Sequence, residues 1–261
     1  MLLICCIVTF FACFIGTIGG MGGGIIIKPV LDATGLMSVA TITFLSGCTV
    51  IAMTCWNVGK NIVKKESVLE FHTTVVLAIG ASLGGILGKQ LFSMVAGLFA
   101  DQDMAGGVQA ALRFTATLAT LIYTLKKDKI QSRYVTSQAF RLVIGLLLGV
   151  LGSFLGIGGG PFNVAVLSYF FSMPTKKATQ NSLFIVLLSQ LTSTLKTVLG
   201  SGIPQFDPLL LAGMMVLGIL GSEVGRRVNK KIDNRQATVC LEGVMVLIMA
   251  INIFNVVKFL G

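Results

Sequence analysis

Charged residues are scarce in this sequence. Only 11% of its 261 residues are charged, whereas a soluble domain of average composition carries about 25%. With 20 basic and 10 acidic residues, the chain cannot cover a soluble surface of this size with charge. This shortage and a mean hydropathy of +0.91 exclude a disordered protein, a nucleic-acid-binding domain and most soluble enzymes. The composition predicts a polytopic integral membrane protein whose surroundings are the lipid bilayer.

Motifs for catalysis and metal binding are also missing. The sequence has no HExxH motif and no phosphate-binding loop. Its six cysteines lie in apolar stretches without the spacing of metal ligands, which is typical of small packing residues. We therefore predict that the protein is not an enzyme, needs no cofactor or metal, and has no nucleic-acid partner.

Eight long apolar segments account for most of the chain. Because they show no strand-like alternation of polar residues, they predict transmembrane helices rather than a barrel. We expect an all-α integral membrane protein with one transmembrane domain over residues 1–261. The segments cover residues 2–31, 38–58, 71–99, 105–125, 139–171, 178–200, 207–225 and 236–258.

The first and fifth segments are too long for a simple span, and each contains a glycine cluster. The clusters cover residues 19–24 and 156–160. Consecutive glycines are unfavourable inside a helix, so each segment should break there. Pro29 and Pro161 follow the breaks, and Pro161 stands where a first-turn proline would begin a new helix.

The two halves of the chain resemble each other. Residues 16–24 align without gaps to residues 152–160, residues 40–43 parallel 178–181, and residues 85–88 parallel 218–221. The chain is therefore predicted to be a tandem repeat, with repeat one over 1–130 and repeat two over 131–261.

The positions of the basic residues test two topologies. If all eight segments cross the membrane, nine Lys/Arg fall on one side and eight on the other, which is no bias. If the glycine-broken segments are re-entrant hairpins, the loops near 60–70, 126–141, 172–177 and 226–235 share one face. That face then holds fifteen Lys/Arg, and the other keeps only Lys28 and Lys258. Such a bias marks the cytoplasmic side, so we predict two inverted repeats in a bacterial plasma membrane. Each repeat would have one hairpin and three transmembrane helices.

A broken helix in a bilayer exposes backbone groups, which is tolerated only inside protein or along a watery cavity. The helix that restarts after the break directs N–H groups and its positive dipole end at that cavity, and this favours an anion. In an inverted arrangement the hairpin tips meet near the midplane. The predicted substrate-binding residues are Gly20, Gly22, Gly23, Gly24, Gly156, Gly158, Gly159, Gly160, Thr17, Ser153, Thr41, Thr43, Gln180, Asn181, Ser182 and Arg113.

Each of these features has a plainer interpretation. The clusters contain GxxxG spacings, which pack transmembrane helices against one another; we interpret Gly80/Gly84/Gly88 and Gly145/Gly149 as packing only. Thr and Ser can bond back to their own helix. Lys89 and Lys196 can extend to the membrane surface, whereas Arg113 is too central for that and should face the protein interior.

These residues resemble the sulfite exporter TauE/SafE family of membrane transporters. The resemblance rests on Gly20-Met-Gly-Gly-Gly-Ile-Ile-Ile-Lys-Pro29, on Gly156-Ile-Gly-Gly-Gly-Pro161 and on the run from Ala178 to Leu183. It implies transport of a small sulfur-containing anion such as sulfite or an organosulfonate. The second repeat departs from the first by having Ala165 where Pro29 would align.

The combined prediction is a secondary transporter or permease for a small oxyanion that works by alternating access. A passive anion channel and a non-transporting membrane scaffold subunit are the alternatives. The chain has no Walker motif that would indicate direct drive by ATP. The particular anion, the direction of transport, the coupling ion and the oligomeric state are not specified by these patterns.

Overall fold

The computed structural model describes residues 2–64, 68–98, 102–156, 158–201 and 203–260, and these form an all-α fold without a strand. Seven helices are long and apolar enough to cross a membrane, and the first of them is α1. The predicted all-α membrane protein is confirmed. The helices are α1 (Leu2–Gly19), α2 (Gly24–Thr34), α3 (Val39–Val63), α4 (Phe71–Ala96), α5 (Gln102–Lys126), α6 (Gln138–Phe154), α7 (Gly160–Phe171), α8 (Thr175–Lys196), α9 (Pro208–Lys231) and α10 (Asn234–Leu260).

Both predicted helix breaks are present. The first lies between α1 and α2, and the second lies between α6 and α7, where Pro161 occupies the first turn of the new helix. Helices α2 and α7 have only 11 and 12 residues. At about 1.5 Å per residue they are roughly half as long as the bilayer core is thick. Each restarted helix is therefore too short to cross.

The first break reverses the chain. Gly23 packs so closely on Cys13 that a Cβ at Gly23 would lie 3.3 Å from the Cys13 Cα. A continuous helix would separate the two residues by about 15 Å along its axis. Helices α1 and α2 therefore form a hairpin. Within α2 the Pro29 carbonyl accepts a hydrogen bond from Asn255 of α10 at 3.4 Å.

The second break also reverses the chain. A Cβ at Gly152 would lie 2.5 Å from the backbone nitrogen of Gly159. At the other end of α7, the carbonyls of Tyr169 and Phe170 accept hydrogen bonds from residues 133 and 135, which precede α6. Helix α7 thus returns to the level at which α6 began, and the two helices form a second hairpin.

Each hairpin packs on a long helix of the other half of the chain. Helix α1 lies along α9, α6 lies along α4, and α5 lies against α10. In the contact of α4 with α6, Gly84 faces the Leu146 carbonyl and Gly149 faces the Ala81 carbonyl with no room for a Cβ. The prediction that these GxxxG spacings serve helix packing is confirmed.

The four basic loops lie at one end of the bundle, as the hairpin topology predicted. Contacts between the loops establish this arrangement. Of the fifteen basic residues in these loops, Lys65 lies outside the described residues. The contacts are Lys60 with Glu223 at 3.0 Å, Lys177 with Glu70 at 2.6 Å, Lys127 with Thr175 at 2.9 Å, and Lys176 with the Ile232 carbonyl at 2.7 Å.

Candidate functional site

A cavity of about 60 Å³ lies where the two glycine turns meet. Both hairpins contribute to its wall, and α3, α4 and α8 complete it. We call it the central cavity. Its lining residues are Met21, Gly24 and Lys28 from the first hairpin; Gly152, Ser153, Gly156 and Gly158 from the second; Thr43, Ser46 and Val50 from α3; Lys89 from α4; and Val186, Gln190 and Ser193 from α8.

The two hairpins touch at this cavity. The Lys28 side chain extends from α2 to the second glycine turn, where a Cβ at Gly156 would lie 2.7 Å from the Lys28 Nζ. Gly156 also has a φ of +68°, in the region that favours glycine. On the other side of the contact, a Cβ at Gly160 would lie 2.7 Å from Ile25 Cδ1. Glycine is thus required both by the backbone and by the approach of the other hairpin.

The cavity wall is electropositive. Lys28 is buried with only 5% of its surface exposed, and Lys89 donates to the Thr197 hydroxyl at 2.6 Å and to the Ser193 hydroxyl at 3.4 Å. Among the described lining residues, two are basic and none is acidic. Asp32, one turn further along α2, interacts electrostatically with Lys28. A buried wall with this balance attracts an anion and excludes a cation.

Arg113 lies one layer behind the second glycine turn. It is buried, with 3% of its surface exposed, as predicted for a central arginine. Its guanidinium donates to the Gln109 amide oxygen, and the Gln109 amide nitrogen donates to the Phe154 carbonyl at 2.7 Å. Arg113 is thus linked to the second glycine turn by Gln109, and it interacts electrostatically with Lys28 and Asp32. The described lining of the cavity does not include it.

The first glycine turn is held by side chains around it. Ser182 donates to the Gly20 carbonyl at 2.6 Å, and Asn229 donates to the Ile18 carbonyl at 3.0 Å. The backbone N–H of Gly23 contacts the Met53 sulfur at 3.3 Å. Ser182 thus fixes the shape of the turn and does not line the central cavity.

The structure places five of the sixteen predicted residues on the central cavity wall: Gly24, Thr43, Ser153, Gly156 and Gly158. Gly20, Gly22, Gly23, Gly159 and Gly160 shape the turns instead. The remaining polar residues bind protein groups elsewhere. Thr17 donates to the Cys13 carbonyl and to Ser222, Thr41 donates to the Gln205 carbonyl, Gln180 accepts from the Val68 N–H, and Asn181 accepts from the Glu70 N–H.

Two basic residues of the cavity were assigned elsewhere from the sequence. Lys28 was counted on an outer loop, but helix α2 begins at Gly24 and carries Lys28 inside the protein. Lys89 was interpreted as extending to the membrane surface, but its ammonium bonds to hydroxyls of the neighbouring helix at the cavity. Gln190 and Ser193 were not predicted, although they follow Val186 by four and seven residues, which puts all three on one helix face.

A larger depression, of about 450 Å³, lies at the start of α6. One short segment of the chain forms its described lining, and no charged residue is part of it. Without a cation in its described lining, this surface has no charge that would attract an anion. The lining residues are Tyr134, Val135, Thr136, Ser137, Ala139, Phe140 and Val143.

Comparison with known proteins identifies relatives along almost the whole chain. A sequence model of the family described as "Sulfite exporter TauE/SafE" matches residues 5–253. The "Probable membrane transporter protein YunE" of Bacillus subtilis is 24% identical over 251 residues, which is 90% of each chain. A "Probable membrane transporter protein" of Haemophilus influenzae is 25% identical over 240 residues, covering 84% of this chain and 83% of that protein. No solved structure gives a significant match.

Proposed function

The chain belongs to the sulfite exporter TauE/SafE family of membrane transporters, and we propose that it transports a small oxyanion through the central cavity. Sulfite is the first candidate substrate, and an organosulfonate is the second. One observation carries the proposal: two buried glycine turns, two lysines and several hydroxyl groups surround one small cavity whose described wall has no carboxylate.

The size of the cavity favours a compact anion. A volume of about 60 Å³ corresponds to roughly two molecules of liquid water. A sulfite ion has four heavy atoms and suits this space, whereas a sulfonate with a long substituent would require the wall to move. The preference for sulfite over larger sulfonates therefore follows from the volume.

The chemistry of the wall favours an anion that binds and then leaves. The restarted helices α2 and α7 begin beside the cavity, and the first N–H groups of a helix have no partner inside it. Together with the dipole of each helix they attract negative charge. The ammonium groups of Lys28 and Lys89 act as point charges. They do not bind an oxyanion through two N–H groups in fixed geometry, as an arginine guanidinium does. The hydroxyl groups of Thr43, Ser46 and Ser153 can donate hydrogen bonds to the anion without adding charge to the wall.

Alternating access is the proposed mechanism, with the anion held between two inverted repeats, 1–130 and 131–261. The packing of α1 on α9 and of α6 on α4 supports it. In the two repeats α1 corresponds to α6 and α4 corresponds to α9, so the two contacts are equivalent by the repeat symmetry. Rocking of the halves about the hairpin tips would open the cavity first to one side and then to the other.

The basic loops are proposed to face the cytoplasm of a plasma membrane, as the excess of Lys/Arg favours. In a variant without native cysteines, a cysteine that replaces Lys176 should resist an impermeant thiol reagent added outside the cell. Rapid labelling from outside would overturn this orientation.

Anion flux into proteoliposomes tests the proposed function. Purified protein should take up sulfite with saturable kinetics and should take up sulfate or a bulky sulfonate more slowly. Absence of flux for sulfite, thiosulfate, sulfate and sulfonates would overturn the proposal.

Counterflow separates a carrier from a passive channel. In vesicles preloaded with unlabelled sulfite, a carrier accumulates labelled sulfite transiently. The site that carries unlabelled sulfite out of the vesicle binds labelled sulfite outside and carries it back in. Downhill uptake with no such overshoot would identify a channel instead. A scaffold subunit would show no flux in either assay.

A further inference from the structure

A second polar chamber lies at the basic end of the bundle. Its volume is about 20 Å³, enough for about one water molecule. We call it the basic-end chamber. Its lining residues are Thr17, Asn57, Asn61, Thr179, Gln180, Leu183, Arg226, Asn229 and Lys230.

One face of α3 connects the two chambers. Thr43 and Ser46 line the central cavity, and Asn57 and Asn61 line the basic-end chamber. With Val50 and Met53 between them, these residues follow one another at intervals of three or four, which puts them on a single helix face. The 18 residues from Thr43 to Asn61 correspond to a rise of about 27 Å.

One face of α8 also connects the two chambers, but along α8 the basic-end chamber comes first in the sequence. Thr179 and Leu183 line the basic-end chamber, and Val186, Gln190 and Ser193 line the central cavity. Their intervals are again three or four residues. Two neighbouring helices thus present matching faces, each polar at both ends and apolar in the middle.

The apolar middle is closed by the tip of the first hairpin. A Cβ at Gly22 would lie 3.3 Å from a methyl of Val50 on α3 and 3.3 Å from a methyl of Val186 on α8. The next residue, Gly23, directs its N–H at the Met53 sulfur. The first glycine turn therefore occupies the constriction between the two chambers.

Two buried polar atoms in the basic-end chamber have no protein partner. Thr179 is 2% exposed and Asn61 is 5% exposed, and neither the Thr179 hydroxyl nor the Asn61 carbonyl oxygen has a hydrogen-bond partner among the described residues. Buried polar atoms in proteins are nearly always bonded. Both atoms are therefore available to a guest in the chamber.

The charge around this chamber is positive. Arg226 and Lys230 are the charged residues of its described lining. The adjacent carboxylate of Glu223 is shared by three cations, with Lys60 at 3.0 Å, Arg226 at 2.9 Å and Arg227 at 2.9 Å. The described lining thus has two basic residues and no acidic one, a balance that favours an anion as in the central cavity.

We propose that the basic-end chamber is a second oxyanion site, and that the substrate moves between the two sites along the facing surfaces of α3 and α8. This inference rests on the proposed function. The Thr179 hydroxyl donates to an anion oxygen, and the Asn61 carbonyl accepts from a hydrating water. At 20 Å³ the chamber holds a water molecule, so it widens when the first hairpin withdraws from the constriction.

Replacement of Thr179 by valine tests the second site. The T179V variant removes the hydroxyl and keeps the shape of the side chain. Sulfite flux into proteoliposomes should fall about tenfold, because a hydrogen bond to a charged group is lost. Sulfite binding to the purified protein should keep its affinity, because the central cavity is intact. The T179S variant should restore flux, since it restores the hydroxyl.

Two matched controls separate this effect from a loss of folding. Thr117 on α5 is also fully buried with an unpartnered hydroxyl in the described structure, and it lines neither chamber. The T117V variant should transport like the wild type. A second pair compares N61L, which should lose flux, with N252L as its control. Asn252 is a buried asparagine of α10 that lies outside the path.

The outcomes distinguish the two proposals. If the wild type carries no anion, the proposed function fails. If the wild type carries sulfite and T179V and N61L carry it as fast as T117V and N252L, only the second site is overturned. Reduced flux in T179V with unchanged binding and rescue by T179S supports the second site.

Discussion

The two glycine turns of this protein begin with the same backbone angles and differ in how they end and in the side chains around them. At equivalent positions, Gly20 and Gly156 have φ values of +69° and +68°, and Gly22 and Gly158 have values of +68° and +67°. Such angles are rare for other residues, so these glycines preserve the first part of the turn twice. The turns differ where the next helix begins, because Gly23 has a φ of −67° and its counterpart Gly159 has a φ of +96°. A short helix restarts after each turn, and both helices begin next to the central cavity.

The side chains at the two turns have different partners. In the second turn, Ser153 lines the central cavity, whereas its counterpart Thr17 donates to Ser222 and lines the basic-end chamber. The first hairpin supplies the buried cation Lys28, and the second supplies the glycine surface at Gly156 against which that cation lies. The glycine turn thus occurs twice, and the residues at each turn form a different, complementary half of one site.

Alanine at the turn glycines should have the largest effect, and it should be larger in the first turn. A Cβ at Gly20 would lie 2.6 Å from the Thr179 Cα, which is backbone, whereas at Gly159 it would lie 2.7 Å from the Asn163 amide, which can rotate. We expect Gly20→Ala to abolish flux and Gly159→Ala to retain part of it. Each also incurs about 1–3 kcal/mol of backbone strain. Thermal unfolding and sulfite flux measure both effects.

Gly59 offers the control for this pair, because a Cβ there meets nothing within 4 Å. Gly59→Ala should preserve flux and raise the melting temperature slightly, since alanine is the better helix former. Equal losses in Gly20→Ala and Gly159→Ala would contradict the difference between the turns.

Removal of the first hairpin's cation should have the next largest effect. Lys28→Met removes a charge-assisted contact worth about 1.5–3 kcal/mol, so sulfite transport at low concentration should fall about 10- to 100-fold. Lys196→Met is the matched control, because Lys196 lies at the same end, bonds to the Ile86 carbonyl and does not line the cavity. The initial rate of sulfite flux at several concentrations is the measurement. Equal rates in the two variants would rule out Lys28 as a substrate contact.

Loss of the side chains that brace each turn should affect stability. Gln109→Leu removes the hydrogen bonds that Gln109 makes to the Phe154 carbonyl and to the buried Arg113 guanidinium. Their loss should lower the free energy of unfolding by about 1–3 kcal/mol. Ser182→Ala leaves only the Gly20 carbonyl unpaired and should cost about 1 kcal/mol. Melting temperatures of the purified variants test the order. A larger loss in Ser182→Ala would mean that the first turn depends more on its brace.

The smallest expected effect comes from the paired hydroxyls. Ser153→Ala should weaken sulfite binding about 10-fold, which corresponds to the lower end of the range for one hydrogen bond to a charged group. Thr17→Val should leave the affinity of the central cavity unchanged, because the Thr17 hydroxyl is bonded to Cys13 and Ser222. Calorimetric titration with sulfite measures both. A weaker affinity in Thr17→Val alone would reverse the assignment of the two turns.

The backbone architecture was predictable because its causes are local in the sequence. Glycine clusters break helices wherever they occur, and the fifteen basic residues of four loops indicated which helix ends share a face. The wall of the cavity was less predictable, because it brings together residues such as Lys28, Lys89 and Gln190 that are far apart in the chain. Asn181 suited an anion by its chemistry, yet tertiary packing uses it to bind residue 70.

A structure determined with bound sulfite tests the central claim most directly. Difference density between samples with and without saturating sulfite should lie in the central cavity, between Gly24 and Gly158 and within hydrogen-bond distance of the Lys28 ammonium. Density confined to the depression at residues 134–143, or an empty central cavity at saturating sulfite, would contradict the assignment of the glycine turns as the anion site.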